Sequence, residues 1–132
     1  MVYSYSLKTH KREELIDITD YVQESIKKSN LIEGVVVVFI PHTTAAVTIN
    51  ENADPSVRKD ITTFLSEKIP QSGHFSHIEG NADSHIKSSL IGPSLTLIVE
   101  EGRLLLGTWQ GIYFCEFDGP RSRTFLVKTI KG

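Results

Sequence analysis

Three of the five histidines in the 132-residue chain fall in one short run, "HFSHIEGNADSHI", from His74 to Ile86. Neutral imidazole is the commonest protein ligand for divalent metals, and three imidazoles with an open fourth position form a usual catalytic zinc arrangement. The pattern predicts a loop at His77 and places His85 one turn into the following helix, and such a pair can converge on one ion. The spacing matches no recognised zinc motif, so exposed loop histidines without a shared role are the plain alternative. Glu79 and Asp83 lie between them. A carboxylate there could orient a ligating imidazole or move a proton; Asn81 or Asp83 could equally just cap the helix. Two further histidines stand apart. His42 follows an apolar run, in "PHTTAAV", and His10 sits in a charged, solvated stretch.

A second group is "EFDGPRSR". Asp118-Gly119-Pro120 reads as a turn. Arg121 and Arg123 flank Ser122, so an extended backbone would put both guanidinium groups on one face, where two forks suit a phosphate or carboxylate. The alternative is two surface arginines, each paired with an acid. The polar segment that includes Thr43, Thr44, Glu51, Asn52 and Asp54 follows the His42 run. Trp109, the single tryptophan, reads as a core residue beside a bulge. Cys115, the single cysteine, excludes an internal disulfide and a cysteine-rich zinc site, and its strand context predicts a buried, inert thiol.

These residues need elements to position them. "VYSYSLKT" alternates as a strand, and "ELIDIT" reads as a short extended piece. Thr19 or Asp20 is expected to cap a helix running to about Asn30, with Val22 and Ile26 inward. "GVVVVFI" is β-branched and apolar throughout, which predicts a buried strand ended by Pro41. "TTAAVTIN" is a further strand. "DPSVRKDITTFLSEKIP" is the clearest helix, with Asp54 as N-cap, Pro55 at the first position and a stripe of Val57, Ile61, Phe64 and Leu65. "NADSHIKSSLIGP" is a shorter helix ended by Gly92. "SLTLIVE", "RLLLGTW", "GIYFCEF" and "RTFLVKTI" then form a four-strand antiparallel run. The order implies an α+β fold whose antiparallel or mixed sheets curl into a sandwich or barrel-like subunit with about three helices. One domain covers residues 1–132.

Bulk properties narrow the function. The chain is 39% hydrophobic and 23% charged, with net charge −2, so no basic footprint for nucleic acid is present. No apolar run approaches the roughly 20 residues that span a bilayer. The first residues lack the basic-then-apolar layout of a signal peptide, so the expected compartment is the cytoplasm.

The blocks "HTTAAVTINENADP", "HIEGNADSHIKSSLIG" and "GTWQGIYFCEFDGPRSR" resemble those of the YjbQ family, in the family's order. The resemblance implies a small α+β sandwich or barrel assembled as a homotrimer. It also implies the family's label of secondary thiamine-phosphate synthase, a weak activity joining a hydroxymethylpyrimidine diphosphate to a thiazole phosphate with release of diphosphate. Such chemistry would use a cation and basic side chains on the leaving group. Matched position by position, the family motif covers His42, Thr43, Thr44, Glu51, Asn52, Asp54, His77, Glu79, Gly80, Asn81, His85, Trp109, Gln110, Glu116, Asp118 and Arg121; His74 is left outside. The implied set has His42, His77 and His85 holding a divalent ion, zinc by type. Glu79 and Asp83 would move protons and Arg121 would hold phosphate. Thr43, Thr44, Asn52, Asn81 and Arg123 would help bind a small phosphorylated ligand. Three readings follow: a metal-assisted transferase or hydrolase, a binding protein using the same pocket without turnover, or a structural homotrimer.

Overall fold

Strict alternation makes the first strand. In a computed structural model, which describes residues 1–132, β1 (Val2–Lys8) turns Tyr3, Tyr5 and Leu7 toward the interior and its other residues outward. The remaining elements follow in chain order as β2 (Glu14–Asp17), α1 (Thr19–Ser29), β3 (Gly34–Phe39), β4 (Ala45–Glu51), α2 (Pro55–Lys68), α3 (Ala82–Ile91), β5 (Ser94–Glu100), β6 (Arg103–Leu104), β7 (Gln110–Glu116) and β8 (Ser122–Lys131). Three helices pack with two curled antiparallel sheets, an α+β half-barrel. The larger sheet runs β1-β8-β3-β5-β6 and the smaller β2-β7-β4.

The expected four-strand run at the end of the chain is therefore divided. β5 and β6 form a hairpin, β7 joins the small sheet, and β8 crosses back to lie between β1 and β3. The cause is visible in β7, whose residues from Gly111 through Glu116 are all buried. Ile112 and Phe114 enter the main core with Val36, Val38, Val47, Phe125 and Val127. Tyr113 and Cys115 enter a second core with Leu15 and Ala46, covered by Ile61 and Leu65 of α2 and by Ile91. A strand apolar on both faces has to be central, and burying each such side chain is worth roughly 1.5–3 kcal/mol.

The local signals hold with three corrections. α1 begins as expected and buries Val22 and Ile26. Its first turn, however, is anchored by Asp17, whose Oδ1 accepts from the Thr19 N–H at 2.9 Å, while Thr19 Oγ1 accepts from the Ile112 N–H. α2 has the Asp54 cap and Pro55 start, but none of its residues is fully buried and Phe64 is left exposed. The run "VVVVF" is not buried on both faces. Val36 and Val38 point inward, whereas Phe39 is 42% exposed. The outward row Val35, Val37 and Phe39 stands in register with Ile130 and Leu126 of β8 and Ile98 of β5, giving the large sheet an apolar outer face.

Candidate functional site

Four segments bring the site together at one end of the large sheet. The first is Pro41–Thr44, the link from β3 to β4. It is pinned by the Ile40 N–H donating to the Pro93 carbonyl at 2.8 Å and by Ser88 Oγ donating to the Thr43 carbonyl at 2.6 Å. The second is the loop before α3, carrying His77, Glu79 and Asn81. The third is α3, carrying His85. The fourth is the turn after β7, carrying Asp118 and Arg121. Together they line an open cleft of about 830 Å³ whose walls include His42, Thr43, Thr44, His77, Glu79, Asn81, His85, Asp118, Arg121 and Arg123.

The imidazoles are arranged as a pair and a neighbour. The rings of His77 and His85 meet edge to face with centroids 5.1 Å apart, and His77 Nε2 lies 4.0 Å from Glu79 Oε2. His42 Nε2 sits 3.0 Å from both the N–H and the carbonyl of Thr124. It accepts from the N–H when bare and donates to the carbonyl when protonated, which leaves Nδ1 for the cleft. Burial pushes the His42 imidazole below its ordinary pKa, and the nearby Arg123 charge adds to this, so the ring is held neutral. No three histidine, cysteine, aspartate or glutamate side chains stand close enough together to hold a metal ion. His10 and His74 are both exposed and outside the cleft.

The two arginines differ in state. Arg121 is half-exposed, with Nη2 donating to Asp118 Oδ2 at 2.8 Å and Nε to the Asp118 carbonyl. Arg123 is buried. Its Nε donates to Glu116 Oε1 at 2.8 Å, and its Nη2 bonds Glu116 Oε2 and donates to Thr44 Oγ1 at 2.9 Å. The two do not form the pair of free forks on one face that the sequence pattern offers, because Arg121 precedes β8 while Arg123 lies within it, turned inward. Glu116 also accepts from Thr9 Oγ1 and from the Asp118 N–H. Burial alone would raise the Glu116 carboxyl; the hydrogen bonds from Arg123, Thr9 and the Asp118 amide outweigh it and hold the carboxyl below the usual range. This ion pair thereby fixes the turn that carries Asp118 and Arg121. Gly119 lets that turn press against the chain, since a Cβ there would come within 2.3 Å of the Lys11 carbonyl oxygen.

Asp83, expected at the site as a proton carrier, lies beneath it. It is fully buried, accepts from Arg12 through both oxygens and pairs with Lys87 at 2.8 Å, and Lys87 also pairs with Glu13. Burial would raise its carboxyl, but Arg12 and Lys87 together hold it low, so its place is in an ion-pair network that ties α3 to the segment after β1. Asn52 is also outside the cleft, against Gly111 at the far end of β4. Asn81 is inside it, its Nδ2 donating to Asp118 Oδ2 at 2.8 Å and its Oδ1 buried without a partner. Trp109, expected in the core, is 63% exposed in the loop before β7. Cys115 is buried as expected, and burial pushes its thiol up to about 12. The sequence reading missed Thr9, Arg12, Glu13 and Lys87. Only the charged stretch Lys11–Glu14 marked Arg12 and Glu13, and no local signal marked Thr9 or Lys87.

Fold and site together define a small α+β half-barrel protein with one polar cleft in which imidazole, guanidinium and carboxylate converge. The UPF0047 protein YjbQ-like family model matches residues 3–132, and the chain belongs to that family. It is 58% identical over 130 residues to the UPF0047 protein MJ1081 of Methanocaldococcus jannaschii, covering 98% of this chain and 94% of that one. It is 50% identical over 129 residues to the UPF0047 protein YugU of Bacillus subtilis, covering 97% and 98%. An uncharacterised conserved protein of the YjbQ/UPF0047 family from Clostridium acetobutylicum superposes with a TM-score of 0.96 at 53% identity, covering 97% of this chain and 99% of that one. A hypothetical protein from Aeropyrum pernix superposes at 0.95 with 39% identity, covering 100% and 99%.

Proposed function

We propose that the cleft binds a small phosphorylated molecule and acts on it with the help of a divalent cation, in thiamine-phosphate-synthase-like chemistry. The observation that carries this reading is the convergence of His42, His77, His85 and Arg121 on one open cleft. Arg121 is the phosphate ligand. The Arg121 side chain is 51% exposed, so an incoming anion can reach the guanidinium, while its partner Asp118 keeps the hydrogen bond from Asn81 Nδ2. Arg123 acts through Thr44 and Glu116, as a positioning residue. Glu79 is the carboxylate free to move a proton or to orient His77.

The donor types suit a borderline cation such as zinc, but the three imidazoles stand too far apart in this structure to hold one together, so binding would have to draw them inward. His77 and His85 are adjacent, and His42 can present Nδ1 while its Nε2–H donates to the Thr124 carbonyl, the outer hydrogen bond that ligating histidines usually make. A bound cation would neutralise charge on the phosphate oxygens and on a departing diphosphate. The chain's own contribution is to hold the phosphate with Arg121 and the Thr43 segment, and to keep proton traffic on Glu79.

Calorimetric titration with inorganic phosphate tests the anion reading. Arg121→Ala is expected to weaken binding at least tenfold, and an unchanged Kd removes Arg121 from the site. Elemental analysis of untagged protein tests the metal: about one zinc per chain, lost in His85→Ala, is expected. Binding of zinc and phosphate without turnover of phosphorylated pyrimidines and thiazoles would reduce the protein to a binding module.

The apolar outer row of Val35, Val37, Ile98 and Ile130 favours self-association, and the homotrimer that the family resemblance implies is the assembly we propose. A monomer mass by light scattering refutes this. No helix is long and apolar enough to cross a membrane. We also propose a cytoplasmic location, tested by cell fractionation.

A further inference from the structure

The cleft has a neighbour. A second hollow of about 460 Å³ shares His42, Thr43, His85 and Pro93 with it and is completed by Ala45 and by Ser88 and Ser89 of α3. The two differ in kind. The cleft holds Glu79, Asp118, Arg121 and Arg123, whereas the second hollow contains no aspartate, glutamate, lysine or arginine. A charged group would find no counter-ion there, so an occupant should be neutral.

Its hydrogen-bonding character is also fixed. Ser88 Oγ donates to the Thr43 carbonyl at 2.6 Å, and Ser89 Oγ donates to the His85 carbonyl at 2.8 Å. A hydroxyl has one proton, and each of these is already used within the chain. What the serines present to the hollow is therefore lone pairs, which require a donor. His42 Nε2 is engaged with Thr124, and the serine lone pairs set the requirement on the occupant. An uncharged carboxamide supplies the donor through its N–H₂.

We infer that the ligand has two parts: a phosphate held in the cleft by Arg121, and an uncharged carboxamide-type group seated in the serine-lined hollow, with His42 and His85 between them. This rests on the phosphate reading above and adds the chemistry of the ligand's other end.

The test uses three ligands measured by calorimetry on the full chain: inorganic phosphate, benzyl phosphate and 3-carbamoylbenzyl phosphate. The carbamoyl ester is expected to bind at least tenfold tighter than benzyl phosphate. Ser89→Ala, which removes one acceptor at an exposed helix position, should lose several-fold of that gain, and Ser89→Leu, which fills the hollow, should lose all of it. If the two esters bind alike, or the gain survives Ser89→Leu, the two-part ligand is wrong while phosphate binding stands. If inorganic phosphate and both esters all fail to bind, the phosphate reading falls and takes this inference with it.

Discussion

Glu116→Gln isolates the buried ion pair beneath the turn that carries Arg121. The change keeps the shape of the side chain and removes its charge. Glu116 is fully buried and its partner Arg123 is 5% exposed, so the guanidinium would be left without a counter-charge where water reaches it poorly. Removing one partner of a buried pair typically costs about 3–5 kcal/mol, most of it the penalty on the charge left behind. For a chain of this length that is a fall in Tm on the order of 10–20 °C. The Asp118 amide and Thr9 hydroxyl also lose an anionic acceptor, so the turn carrying Arg121 should loosen, and phosphate affinity should fall even though Glu116 touches no ligand. Scanning calorimetry of Glu116→Gln, Arg123→Met and the double variant reads the effect. The double variant should be no less stable than Glu116→Gln alone, because neither charge remains. A Tm for Glu116→Gln within about 2 °C of the parent would refute the claim that this pair holds the turn.

Three further outcomes follow from the same geometry. Gly119→Ala puts a Cβ against the Lys11 carbonyl and the Thr9 hydroxyl, and overpacking of this kind should cost about 1–3 kcal/mol by urea unfolding, with weaker phosphate binding. Cys115, buried and with its thiol pushed up to about 12, should not react with a thiol reagent in the native state and should react fully in denaturant. Stability should fall with acid in two stages. His42 has a folded pKa below its unfolded value, so its contribution is complete above about pH 6.5 and is lost as pH falls through the lower folded value. Asp83 and Glu116 are likewise held low, so theirs is complete above about pH 4–5 and lost as pH falls further. Thermal melts from pH 7 to pH 3 measure this, and a Tm that does not fall across that range contradicts it.

By itself the sequence determined most of the local elements and named candidate residues for the cleft. Period-two alternation gave β1, the Asp54-Pro55 start gave α2, and Gly92 gave the end of α3, because these signals depend only on neighbouring residues. It also named His42, His77, Glu79, Asn81, His85 and Arg121, all of which line one cleft. Only the tertiary structure decided which charged groups are free to act in that cleft. Asp83 and Arg123 carry the right chemistry at plausible positions, yet α3 turns Asp83 beneath the site to Arg12 and Lys87, and Arg123, at the cleft wall, is engaged by Glu116. Trp109 was misplaced for the same kind of reason. It has the composition of a core residue, but the chain leaves the sheet before β7 and never brings it under another layer. Partners such as Arg12 and Asp83, or Thr9 and Glu116, lie far apart in the chain and meet only across packed elements. An ion pair is set by where two distant segments come together, and no local pattern in the sequence encodes that.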